Sequence, residues 1–140
     1  MRNYRELAVW GRAHALTLAV YNATVAFPQS EIYGLTSQIR RASSSIAANI
    51  AEGCGLGSVA ELKKHCQIAM GSATELDYHL LLSRDLGYLS PAVYRELADL
   101  AIEVQKMLST FIVRLREPVT SRERQNGTSR ESGVAGAITG

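Results

Sequence analysis

Ile46-Ala47-Ala48-Asn49-Ile50-Ala51-Glu52-Gly53-Cys54-Gly55-Leu56-Gly57-Ser58-Val59-Ala60-Glu61-Leu62 holds the end of one helix, a turn and the start of the next. Ile46 and Ile50 stand one helical turn apart and mark a buried face. Glycines then fall at positions 53, 55 and 57 and stop the helix, with Gly53 the expected left-handed C-terminal cap. Ser58-Val59-Ala60-Glu61 reads as a capping box: the Ser58 hydroxyl accepts from the Glu61 amide and the Glu61 side chain reaches back. Helices joined by so short a loop are antiparallel neighbours.

Upstream, the same helix is expected to begin near Tyr33. Ile39, Ala42, Ile46 and Ile50 form its apolar stripe, and residues 42–48 are small apart from Ile46, so a neighbouring helix can approach closely. Downstream, Leu62, Cys66, Ala69, Ala73, Leu76 and Leu80 repeat at steps of three and four, and Gly87 closes the helix. Gly71 in its middle costs about 1 kcal/mol relative to alanine, and close helix contact is the expected compensation. A first helix is predicted over 7–26, with Val9, Ala13, Leu16, Val20, Ala23 and Phe27 on one stripe and Trp10, His14, Thr17 and Tyr21 on a second; Phe27-Pro28 ends it. A fourth opens at Ser90-Pro91, a cap followed by proline at the first helical position. Val93, Leu97, Leu100, Val104, Met107 and Phe111 carry it toward Pro118, and Tyr94, Ala101, Leu108, Ile112 and Leu115 make a second stripe.

Residues 1–117 are therefore expected to form one all-α domain, an up-down-up-down antiparallel four-helix bundle. The heptad-like steps imply crossing angles of about 20° and a left-handed supercoil. Residues 118–140 are rich in Ser, Thr, Arg, Glu and Gly without periodicity, and are expected to be a disordered C-terminal tail. Helices one and four carry more than one apolar stripe, and a stripe left over once a core is filled points to self-association.

A length of 140 residues fits one domain, and 46% hydrophobic residues suffice for a core. The net charge of +2 comes from residues 1–116, which hold 12 of the 15 basic and 10 of the 13 acidic groups. That excess is weaker than a dedicated DNA-binding domain shows, although a symmetric oligomer can concentrate a small patch. Two cysteines do not make a disulfide framework, the first residues lack a signal-peptide pattern, and no apolar run approaches the ~20 residues that span a bilayer. A cytoplasmic location without a membrane partner is the expectation.

Chemistry fares poorly. A di-iron bundle needs Glu-x-x-His pairs, and the chain has only Glu61/His65 and Glu75/His79 at four-residue spacing, which read better as surface pairs than as metal half-sites. Cys54 and Cys66 match no zinc pattern; Cys66 lies on the apolar stripe, and Cys54, in the glycine loop, is expected to be exposed. That loop lacks the strand and the Gly-Lys-Ser/Thr of a phosphate-binding loop and reads as a plain turn. No histidine stands near a serine to activate it. Gln38, Arg41, Ser45, Asn49 and Glu52 trace a polar stripe along the second helix, either a solvated face or an interfacial stripe that fixes register. Basic pairs occur at Arg40-Arg41 and Lys63-Lys64, with Arg2, Arg5 and Arg12 near the start.

Phe27-Pro28, Glu31-x-Tyr33-Gly34-Leu35, Gln38-Ile39-Arg40-Arg41-Ala42, Ser45-Ile46-x-x-Asn49-Ile50-Ala51-Glu52-Gly53, Gly71-Ser72-x-x-Glu75-Leu76 and Leu86-Gly87-Tyr88-Leu89 occur in this order. From about Tyr4 to Leu115 the chain resembles the bacterial four-helix-bundle family named for the 23S rRNA intervening-sequence protein. The resemblance implies a ring-like homopentamer. It also implies a distant similarity to the accessory variability protein of diversity-generating retroelements, a pentamer that binds nucleic acid and partners a reverse transcriptase. It implies no catalytic residue, and it gives Gln38, Asn49, Glu52, Ser72 and Glu75 the role of a structural polar network.

The expected function is that of a non-enzymatic, homo-oligomeric scaffold without metal or cofactor. It would bind RNA or an RNA/DNA hybrid through Arg12, Arg40, Arg41, Lys63 and Lys64. The alternative is a protein-interaction ring serving a partner such as a reverse transcriptase.

Overall fold

The computed structural model describes residues 2–115. The tail expected over 118–140 and the end of the domain at 116–117 lie outside the described residues. Four helices account for most of the chain: α1 (Ala8–Thr24), α2 (Leu35–Gly55), α3 (Val59–Asp85) and α4 (Pro91–Arg114). A short 3-10 turn, Tyr4–Glu6, leads into α1, and a second, Gln29–Glu31, follows Phe27-Pro28. Among the described residues α1 packs on α2 and α4, and α3 packs on α2 and α4, with no diagonal pair. This is the expected up-down-up-down four-helix bundle.

The helix ends obey the chemistry of their residues. The Ser58 hydroxyl accepts from the Glu61 amide at 3.1 Å, and the Ser90 hydroxyl from the Val93 amide at 3.2 Å. At the end of α3, Gly87 takes a left-handed φ of 79°. Its amide donates to the Arg84 carbonyl and the Tyr88 amide to the Ser83 carbonyl, each at 2.9 Å, so two otherwise orphaned carbonyls are satisfied.

The core follows the stripes read from the sequence. Leu16, Val20, Ile39, Ile46, Ile50, Leu76, Leu80, Val104 and Leu108 are fully buried. Truncating any of the leucines or isoleucines to alanine costs about 2–5 kcal/mol, the transfer term plus the cavity. Between α1 and α2 the Thr17 hydroxyl shares its proton between the Ala13 and Ser43 carbonyls, both at 3.0 Å.

Three expectations are corrected. First, Gly53 does not cap α2, which runs on to Gly55. Gly53 is buried inside the helix, where an added Cβ would come within 2.9 Å of the His65 Cβ and 3.1 Å of the Leu62 Cα. Its role is close approach of α2 and α3, and Gly57 takes the left-handed conformation at φ 80°. Second, Cys54 therefore lies in the last turn of α2 and is buried. Third, Gly71 is exposed and an added Cβ would meet nothing within 4 Å among the described residues, so no helix contact among them offsets its cost.

Candidate interaction face on the second and third helices

The polar stripe of α2 meets a matching stripe of α3, and hydrogen bonds run between them. Asn49 Nδ2 donates to the Ser45 carbonyl at 2.8 Å and to Ser45 Oγ at 3.0 Å. Ser45 Oγ lies 2.9 Å from Ser72 Oγ across the helix pair. Asn49 Oδ1 stands 3.2 Å from His65 Nδ1. The amide oxygen can only accept, so the imidazole carries its proton on Nδ1. His65, Asn49, Ser45 and Ser72 thus form a chain of contacts that crosses from α3 to α2 and back. Because these side chains are half-buried, each bond counts for more than a solvated one, and each orphaned partner costs more.

Of the five residues expected to form a polar network, the structure joins Asn49 and Ser72 through Ser45. Glu52 is exposed, and its Oε2 stands 3.9 Å from His65 Nδ1, too far for a hydrogen bond. Gln38 and Glu75 line an open groove of about 480 Å³ with Arg41, Ala42, Ser45 and Ser72. Glu75 also accepts from His79 Nε2 at 3.1 Å. That pair was expected on the surface, yet His79 is buried at the seam's edge. His65 does not pair with Glu61 but turns to Asn49. Ser45 and His65 are the members that the expected network left out. Their signal was spacing: Ser45 is one turn before Asn49, and His65, Ser72 and His79 recur every seven residues on α3.

The five basic residues expected to contact phosphate do not share one environment. Arg12 is engaged: its Nε and Nη2 reach both Glu103 carboxylate oxygens at 3.0 and 2.7 Å and tie α1 to α4. The hydrogen bond and charge of each raise the Arg12 pKa and lower that of Glu103. Arg40 is half-buried; its Nε donates to Thr24 Oγ1 at 2.8 Å and its guanidinium carbon lies 4.9 Å from the Tyr21 ring centroid. Arg41, Lys63 and Lys64 pair with no carboxylate among the described residues. All three belong to α2 and α3, in two groups. Arg41 shares a groove with Glu75, which lies twelve residues, or about 18 Å, along α3 from Lys63.

Among the described residues no three His, Cys, Asp or Glu side chains cluster as a metal site. No helix is long and apolar enough to cross a membrane. Cys54 and Cys66 are buried thiols; burial and the neighbouring Cys54 sulfur push Cys66 up to about 11.

An antiparallel four-helix bundle with a hydrogen-bonded polar seam between α2 and α3, and beside it cations that pair with no carboxylate among the described residues, defines the class of protein. Within that class, the chain belongs to the 23S rRNA-intervening sequence protein family, which it matches over residues 5–110. It is similar in structure to a protein of unknown function from the S23 ribosomal protein family of Bacteroides thetaiotaomicron VPI-5482, whose crystal structure is at 1.70 Å. The two share 25% sequence identity and a TM-score of 0.68, over 74% of this chain and 94% of that one. No curated protein matches this chain.

Proposed function

We propose that this protein is a non-enzymatic scaffold that assembles as a homopentamer and binds structured RNA or an RNA/DNA hybrid through α2 and α3. The observation that carries the proposal is the set Arg41, Lys63 and Lys64, without carboxylate partners among the described residues, on the helix pair that also presents exposed tyrosines. Tyr78 on α3 is 58% exposed and Tyr33, just before α2, is 96% exposed, so both offer ring faces to unpaired bases. Three such cations on one protomer's α2 and α3 are too few for tight binding. Fivefold repetition would turn two modest groups into a continuous basic ring.

The test is fluorescence anisotropy of a labelled structured RNA as salt rises. Three phosphate contacts from a single protomer predict a loss of affinity of about 20- to 40-fold between 50 and 200 mM salt, and more if several protomers bind one strand. Arg41→Glu/Lys63→Glu/Lys64→Glu abolishes binding while keeping the helical content. Unchanged affinity in that triple variant contradicts the proposal.

A second reading, an adaptor for a protein such as a reverse transcriptase, has one observation in its favour. Leu7, Val9, Met107 and Phe111 line an apolar groove of about 340 Å³ where α1 begins and α4 ends. Recovery of a stoichiometric protein partner that survives nuclease treatment and is lost in Met107→Lys selects this reading.

A further inference from the structure

Gln38, Arg41, Ser45, Ser72 and Glu75 line one groove of about 480 Å³ between α2 and α3, together with the buried Ala42. A water needs ~10–15 Å³ of such space, so a purine and its ribose fit. The groove carries opposite charges, Arg41 on α2 and Glu75 on α3, yet the two form no ion pair. Glu75 Oε1 accepts from Nε2 of the buried His79 at 3.1 Å. That bond holds the carboxylate and leaves Oε2 without a donor among the described residues.

Ser45 and Ser72 hold two hydroxyl protons between them. Their 2.9 Å contact uses one, whichever serine donates, and Ser45 Oγ also accepts from Asn49. The second proton has no acceptor among the described residues, and both serines line the groove. Gln38, exposed about one turn before Arg41, brings an amide that donates and accepts. A carboxylate only accepts, so a ligand must offer Glu75 an N–H or O–H edge. Beside a phosphate contact, Glu75 repels a strand that brings no such edge.

We infer that this groove binds one unpaired guanine base of an RNA strand. Resting on the RNA-binding reading, the site adds the identity of a base to the phosphate contact of Arg41. Guanine alone among the four bases sets two adjacent donors, N1–H and the N2 amino group, beside an acceptor, O6. Glu75 accepts from the two donors, and the Gln38 amide donates to O6. The spare serine proton is a donor for the ribose 2′-hydroxyl. The other common group with adjacent N–H donors is a guanidinium, and Arg41 in the same groove repels it.

The experiment is fluorescence anisotropy of the full chain with labelled RNA hairpins at one fixed salt concentration. The hairpins share a stem and a loop of uridines whose central base is guanine, adenine, cytosine or uracil. Wild type should bind the guanine loop at least about fivefold more tightly than the others. Inosine at that position lacks the N2 amino group and should lose most of the preference, with the protein unaltered. Glu75→Gln keeps the shape and an acceptor for His79, and should bring the guanine loop to within about twofold of the adenine loop. Wild-type affinities for the four loops within about twofold of one another overturn the guanine site and leave the RNA-binding reading standing. Inosine bound as tightly as guanine, or a preference that survives Glu75→Gln, also overturns it. Binding of no hairpin contradicts the RNA-binding reading and the guanine site together.

Discussion

Asn49 shows how one side chain links two helices. Its amide spends both ends, donating to Ser45 on its own helix and meeting His65 on the next. Asn49→Leu leaves the His65 Nδ1 proton and the Ser45 hydroxyl short of a partner, and should cost about 1–3 kcal/mol in urea unfolding. An unchanged midpoint would show that the seam is only a solvated face. Cys66 supplies a prediction with a definite sign. Its thiol titrates at about 11 in the fold against an ordinary 9.0, because burial disfavours the thiolate. The folded state therefore holds the proton more tightly. The stability this gives is full below pH 9 and is lost as pH rises through about 11. Cys66→Ala should flatten that part of the stability profile relative to wild type. At this scale the sequence showed which polar residues break the apolar pattern, but not their partners. Pairing depends on how α3 rotates against α2, and no spacing within one helix encodes that rotation. Hence the Glu61/His65 expectation failed, because His65 faces the seam, while Glu75/His79 formed.

The helices themselves were legible because their signals are local. Apolar steps of three and four, Ser58 and Ser90 as caps, and Gly87 as a stop each act within one turn. The two 3-10 turns were missed, since three-residue turns leave no periodicity. Glycine was the weak signal, because one residue type serves a turn, a close approach or neither. Gly53 and Gly71 separate these uses experimentally. Gly53→Ala forces a Cβ against the Leu62 backbone and should destabilise by about 1–3 kcal/mol. Gly71→Ala meets open space in the protomer and should stabilise an isolated bundle by up to about 1 kcal/mol, read by thermal melting. If Gly71→Ala instead disrupts assembly, a neighbouring protomer covers this stretch of α3, and the glycine's cost is offset there.

Across the whole molecule, the fold was legible and the use of its surface was not. A core requires apolar periodicity in the chain itself, whereas a binding face depends on charges that several elements bring together. Arg12 illustrates the difference: it was expected to contact phosphate, yet it is bound to Glu103, whose carboxylate is 91 residues away in sequence. The proposed RNA-binding role of Arg41, Lys63 and Lys64 depends on repetition by symmetry. The assembly state is therefore the central claim. Native mass spectrometry of the full chain tests it most directly. The expected result is a dominant species at five times 15.2 kDa, about 76 kDa, at micromolar concentration. A dominant species at 15.2 kDa would contradict the scaffold.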